Sequence, residues 1–241
     1  DSGKNAKNDH HHHDFDQGEA AGAGSGTDAI HGYSIVLKGM HRRIAKRLQS
    51  SLPLWGVPLI LVFVMSLLGL WGDSARELMM LDRAAIAEGQ VWRLLSAHFV
   101  HLNAYHLNLN LVAVGVYVLL CGSALSPRDW LLRLFVLGLG VGLGLYLLVP
   151  EIGRYAGFSG VAHGLFMLGL WPMVRRGDRI ALLCMLVLMG KIAWEQWFGA
   201  PVSDAEAIGG RVAIEAHALG VAVALAYGAA FEWRSGGPGA R

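Results

Sequence analysis

An all-α polytopic membrane protein with six transmembrane helices and both termini in the cytoplasm is the fold class that this 241-residue sequence predicts. Three observations carry that expectation. The chain is 54% hydrophobic and only 16% charged, whereas a soluble domain carries about 25% charged residues. Beyond residue 50 the apolar residues gather into stretches near the ~20 residues that cross a ~30 Å hydrocarbon core. Basic residues fall in alternate connections between those stretches, which sets the side on which each connection lies.

Taken in order, residues 1–39 are rich in Asp, Asn, Gly and Ala, include His10 to His13, and lack apolar periodicity. Such a segment cannot bury enough surface to offset its ordering, so it reads as a disordered or non-native extension. Met40, followed by His41-Arg42-Arg43, reads as a natural beginning, and 40–51 as a basic cytoplasmic segment. The six-helix domain occupies 52–233, with spans at Leu52 to Trp71, Leu94 to Leu120, Trp130 to Val149, Phe158 to Val174, Ile180 to Phe198 and Val212 to Trp233. Residues 234–241 form a short cytoplasmic tail. The eight tryptophans cluster towards the span ends, as interfacial anchors do.

Arg42, Arg43, Lys46 and Arg47 precede the first span, Arg128 follows the second, Arg175, Arg176 and Arg179 follow the fourth, and Arg234 follows the sixth. These sides should be cytoplasmic. The opposite loops carry acid at Asp73, Glu77, Asp82 and Glu88, at Glu151, and at Asp204 and Glu206. Cys121 and Cys184 lie at or inside apolar stretches and read as small buried hydrophobes, without metal-ligand spacing. No cofactor, metal or nucleic-acid partner is expected.

Spans two, four and six all enter from the outer side, and their first halves hold His98, His101, His106 and Asn110, then Ser159, then His217. Polar side chains at that depth are costly unless they face a bundle interior or a watery cavity, so their shared depth marks a site. Singly, each signal is weak. Gly157-Phe158-Ser159-Gly160 could be a close-packing helix cap, and His217 a satisfied buried histidine. His106 and Asn110, at i and i+4, share a helix face that can serve an oxyanion or bond a neighbouring helix.

A serine hydroxyl is a poor nucleophile until a neutral imidazole takes its proton. Ser159 and His217 can supply that pair. Glu215 lies about 200° round the helix from His217, so no carboxylate is placed as a third member and a dyad is expected. His163, four residues after Ser159, should pack against or hydrogen-bond His217 and orient it. Gly157, Gly160 and Gly164 opposite Ala216, Gly220 and Ala224 form small-residue rows that let two backbones approach, and Gly138, Gly140, Gly142 and Gly144 suggest a further close contact. The loop Gly72 to Gln90, with Trp92-Arg93, should lie in the interface and frame lateral substrate access.

Trp92-Arg93, His101-x4-His106-x3-Asn110, Gly157-Phe158-Ser159-Gly160 and Ala216-His217-x2-Gly220 together resemble the motifs of the rhomboid intramembrane serine proteases, in order and on the expected spans. The resemblance covers roughly Leu52 to Trp233. It implies a six-helix fold with Ser159 as nucleophile and His217 as general base. It further implies that His106, Asn110 and the backbone N–H of Ser159 stabilise the oxyanion.

His163 stands where many rhomboids carry Tyr, and with Glu215-Ala216-His217 it resembles the rhombosortase branch, paired with substrates that bear a C-terminal Gly-Gly, an apolar helix and a basic tail. The absence of a clear Glu near Cys121-Gly122-Ser123 also separates the chain from the bacterial housekeeping type. The implied partners are the lipid bilayer and single-pass membrane proteins, and the implied place is a bacterial inner membrane with the site facing the periplasm. A non-catalytic, client-binding rhomboid-like protein and a general housekeeping rhomboid protease are the competing readings. A third is a metal or haem protein using the histidines, but it leaves Asn110 and Gly-x-Ser-Gly without a use and has no His-Glu-x-x-His motif.

Overall fold

The computed structural model describes residues 55–121 and 125–233. The expectations for 1–39, 40–51 and 234–241 fall outside the described residues. The chain is mostly helical. Helix α1 (Trp55–Trp71) is followed by α2 (Asp73–Met79), bent from it by 113° at Gly72, whose φ of 69° ends α1. A two-residue strand β1 (Leu81–Asp82), then α3 (Arg83–Ala87) and α4 (Arg93–Ser96), continue the connection to the next long helix, and a 3-10 turn over Ala97–Phe99 follows. Next come α5 (Ala104–Cys121), α6 (Pro127–Leu148), strand β2 (Arg154–Tyr155), α7 (Ser159–Arg175), α8 (Arg179–Phe198), α9 (Ala205–Ile208) and α10 (Ile214–Tyr227), which runs into a π-turn at Gly228–Glu232.

Among the described residues, four helical segments are long and apolar enough to cross a membrane: Ala104–Cys121, Pro127–Leu148, Arg179–Phe198 and Ile214–Glu232. The bent pair of α1 and α2 is a fifth candidate. Helix α7, at 17 residues and with Pro172 inside it, rises only about 25 Å. It packs against α10, α8, α5 and α6, a central place consistent with its many buried side chains.

Two expectations change. The second span begins at Ala104 rather than at Leu94, because the chain leaves helical geometry after Phe99 and restarts where the Asn103 side chain accepts the backbone N–H of His106 at 2.8 Å, an N-cap bond. His98 and His101 therefore stand in the connection before α5. The fold is also not purely helical, since β1 and β2 pair antiparallel with Leu81 opposite Tyr155 and Asp82 opposite Arg154. An Arg154–Asp82 ion pair at 2.8 Å fastens this register. The Asp82 carboxylate is held below its usual range chiefly by the N–H of Ala85 at the start of α3, as expected of a helix-capping acid.

Arginines of the connection between α1 and α5 are used on backbone carbonyls. Arg83 donates to the oxygens of Leu145, Tyr146 and Val149 at 2.6–3.0 Å, satisfying the open end of α6. Arg93, buried, donates to the oxygens of Glu77 and Met80 at 2.8 Å each, and Arg76 to that of Leu102 at 2.9 Å. These bonds fix the connection between α1 and α5 against itself, against the C-terminal end of α6 and against the residue before the Asn103 cap of α5.

The glycine-rich face of α6 meets two neighbours. A Cβ on Gly138 or Gly142 would run into Leu95 or the Leu94 backbone in α4, while one on Gly140 or Gly144 would meet Val223 or Leu219 of α10. Spacing of four along each row keeps it on one face.

Candidate active site

Helices α7 and α10 are held at backbone contact. A Cβ built on Gly160 would lie 2.7 Å from the Ala216 carbonyl oxygen, one on Gly164 would lie 2.7 Å from that of Gly220, and one on Gly220 would overlap the Gly160 carbonyl. Small-residue rows permit this approach. Its consequence is chemical: Ser159, the first residue of α7, reaches the fourth residue of α10, with Ser159 Oγ 3.0 Å from His217 Nε2.

The turn into α7 sets the serine. Gly157 has φ 137°, a conformation open chiefly to glycine, and a Cβ there would press on the His106 ring at 2.7 Å. Its backbone N–H donates to the Ala97 oxygen at 3.0 Å, and its carbonyl accepts the Tyr155 hydroxyl at 2.6 Å. Burial pushes the Tyr155 phenol up, so it stays a donor. The buried His98 places Nε2 2.8 Å from the Gly138 oxygen and Nδ1 3.4 Å from that of Gly157, and burial pushes its ring down, so it stays neutral.

Around the pair, the hydrogen bonds assign the tautomers. His163 Nδ1 donates to the Ser159 carbonyl at 2.7 Å, because a carbonyl only accepts. Its Nε2 is then a lone pair facing Lys191 Nζ at 3.1 Å. The His163 ring stacks on that of His217, with centroids 4.2 Å apart and planes 18° from parallel. Glu215 points away from the pair and bonds Arg211.

The sequence reading missed the group on the far side of His217. Glu195 of α8, with no exposed surface, places Oε2 2.8 Å from His217 Nδ1. Its other oxygen accepts Lys191 Nζ at 2.7 Å. The available signal was the pair itself: Lys191 and Glu195, at i and i+4, interrupt an otherwise apolar span, and intramembrane charges of this kind mark functional interiors. No spacing ties Glu195 to His217, so the contact is purely tertiary.

His106 and Asn110 reach the same chamber. The backbone N–H of Leu102 points to His106 Nδ1 at 3.5 Å, and Asn110 donates to the His106 oxygen at 2.9 Å. His101 stands edge-on to His106, centroids 5.1 Å apart, with both ring nitrogens buried and unpartnered. Trp92 and Arg93 do not come to the site. Arg93 is bound to the Glu77 and Met80 carbonyls, and half-exposed Trp92 faces the Leu78 oxygen at 3.4 Å.

Ser159, His217, His106, Asn110, His163 and Lys191 all line one cavity of about 750 Å³. Leu109, Ala113, Val116 and Leu120 on α5 and Leu183 and Val187 on α8 extend it along the apolar length of those helices. A hydroxyl, an imidazole with a free Nε2 and a carboxylate in line can move a proton from the hydroxyl, and nearby N–H groups can receive developing negative charge.

Comparison with curated proteins returned no match. A family model described as the Rhomboid domain matches residues 88–234, which takes in α5 to α10, the Gly157-to-Gly160 turn and His217. Its match covers more than half of the chain, which therefore belongs to the rhomboid family, a family of membrane proteins that are generally serine intramembrane proteases.

Proposed function

We propose that this protein is an intramembrane serine endopeptidase that cuts single-pass membrane proteins near the outer face of a bacterial inner membrane. The observation that carries the reading is the 3.0 Å approach of Ser159 Oγ to His217 Nε2 inside a cavity continuous with an apolar cleft between α5 and α8. Ser159 Oγ attacks the scissile carbonyl while its proton passes to His217 Nε2. The carbonyl π electrons move to oxygen, and that oxyanion is received by the Ser159 backbone N–H, His106 and Asn110. Collapse breaks the C–N bond, His217 returns the proton to the leaving amine, and water then resolves the acyl-enzyme by the same steps.

A membrane helix hides its carbonyls in its own hydrogen bonds, so the substrate must unwind locally. The spacing of Leu109, Ala113, Val116 and Leu120 by four, three and four fits an apolar helix laid along α5. Met80 of the loop Gly72 to Gln90 also lines this cavity, whereas Trp92 and Arg93 do not. Six spans with cytoplasmic termini and an outward site agree with Arg175, Arg176 and Arg179 lying at the end of α7 opposite to Ser159. Gly157 to Gly160, His163 and Glu215-Ala216-His217 favour the rhombosortase branch, and glycine, as a helix breaker, suits a Gly-Gly sorting signal.

Co-expression with a protein ending in Gly-Gly, an apolar helix and a basic tail tests this. Processing should occur with the wild type, stop with Ser159→Ala, and stop when the Gly-Gly is changed to Leu-Leu. Processing that survives Ser159→Ala overturns the protease reading. Processing that survives only the Leu-Leu change overturns the branch.

A further inference from the structure

We infer that Glu195 is a positioning residue that completes a Ser159–His217–Glu195 triad, and that Lys191 fixes which face of Glu195 meets the imidazole. The inference rests on the protease reading above and adds to it a third member supplied by α8.

His217 touches Ser159 Oγ through Nε2 at 3.0 Å and Glu195 Oε2 through Nδ1 at 2.8 Å. A carboxylate only accepts, so Nδ1 carries the hydrogen and Nε2 presents its lone pair to the serine. That is the tautomer a general base needs, held by a carboxylate that also compensates the imidazolium formed on proton transfer. Glu195 Oε1 is engaged by Lys191 Nζ at 2.7 Å and faces the Val202 N–H at 3.5 Å. Both are donors, so each carboxylate oxygen has a fixed duty.

Lys191 Nζ also lies 3.3 Å from His217 Nδ1. With Nδ1 protonated this is an approach of two donors, not a bond, and Glu195 between them supplies the compensating charge. The remaining Lys191 contact, to His163 Nε2 at 3.1 Å, ties the ammonium to the ring stacked on His217. Glu195 therefore sets the tautomer, and Glu195, Ser159 and the stacked His163 ring together set the orientation of the imidazole.

The isosteric change Glu195→Gln makes the inference testable. The Gln amide has one acceptor, and Lys191 and Val202 both demand it, so the amide N–H₂ turns to His217 Nδ1. His217 must then accept at Nδ1 and carry its hydrogen on Nε2, where it cannot take the serine proton. The rate at which a small fluorophosphonate modifies Ser159 in purified full-length protein should fall by about 10²–10⁴-fold, as when a triad carboxylate is made an amide. Adding Lys191→Met removes the charge-assisted bond that holds the amide the wrong way round, and should recover about tenfold of the loss. A purely structural pair would lose further activity with the second change.

Spectroscopy on the wild type gives a readout that does not depend on any variant at α8. With ¹⁵N-histidine, the His217 signal, identified by its loss in His217→Ala, should report a hydrogen on Nδ1. A wild type that labels at Ser159 while Glu195→Gln labels within threefold of it, a double variant no faster than Glu195→Gln, or a His217 hydrogen found on Nε2 would each overturn the triad and leave the protease reading standing. A wild type that does not label at Ser159 removes the protease reading itself.

Discussion

His101 shows how a buried histidine couples stability to pH. Its ring is nearly closed off from solvent, both nitrogens lack partners, and burial, with the nearby His106 adding to it, pushes its pKa down to about 3. The unfolded chain takes up a proton on this ring below about pH 6.5, and the folded chain refuses it until about 3. More protons are bound unfolded across that window, so stability falls as pH drops through it. His101→Phe should flatten the decline in unfolding midpoint between about pH 6.5 and 4.5, and slopes identical to the wild type would contradict the assignment. At this scale the sequence was legible where chemistry is local. Ser159 between glycines and His217 in its small-residue row could be picked out, and His163, at i+4 from Ser159, was expected beside His217. Glu195 was not legible, because its partner lies 22 residues away on another helix and no spacing rule links them.

Helix starts and helix contacts govern the next scale. The apolar run from Leu94 concealed a break, since Leu94, Ala97 and Val100 are buried although α4 and the 3-10 turn precede the span. Hydropathy registers burial in protein and burial in lipid alike, and only the Asn103 cap separates them. The glycine rows, by contrast, were readable, because close backbone approach leaves few alternatives to glycine. Gly220→Ala would force its methyl into the Gly160 carbonyl. Overpacking of this kind costs about 1–3 kcal/mol, and here it also moves Ser159 away from His217, so fluorophosphonate modification should slow by about tenfold or more. Gly115→Ala on α5, where a Cβ meets nothing within 4 Å, is the control and should label as the wild type does. Equal rates for the two variants would contradict the packing account.

Across the whole molecule, polar clusters occupy opposite ends of the bundle. Far from Ser159, Arg133 of α6 bonds Glu232 through two contacts of 2.6 and 2.9 Å and Tyr117 of α5 through a third at 2.9 Å. Arg133 and Glu232 are both buried, so removing one partner strands a charge. Arg133→Leu should destabilise the protein by about 3–5 kcal/mol, and adding Glu232→Leu should return most of it. Detergent-phase unfolding measures both, and a double variant no more stable than the single would contradict the pairing. Membrane class and the order of the long helices were legible from composition and apolar length. The connection between α1 and α5 was not, because its order depends on Arg76, Arg83 and Arg93 reaching carbonyls far along the chain. The proposed function rests on one arrangement, Ser159 at the start of α7 within hydrogen-bond distance of His217 on α10. The most direct test is to treat purified protein with a fluorophosphonate and map the adduct by mass spectrometry. The account predicts a single adduct on Ser159 Oγ that disappears in Ser159→Ala and forms far more slowly in His217→Ala. An adduct on another residue, or labelling of His217→Ala at the wild-type rate, would contradict it.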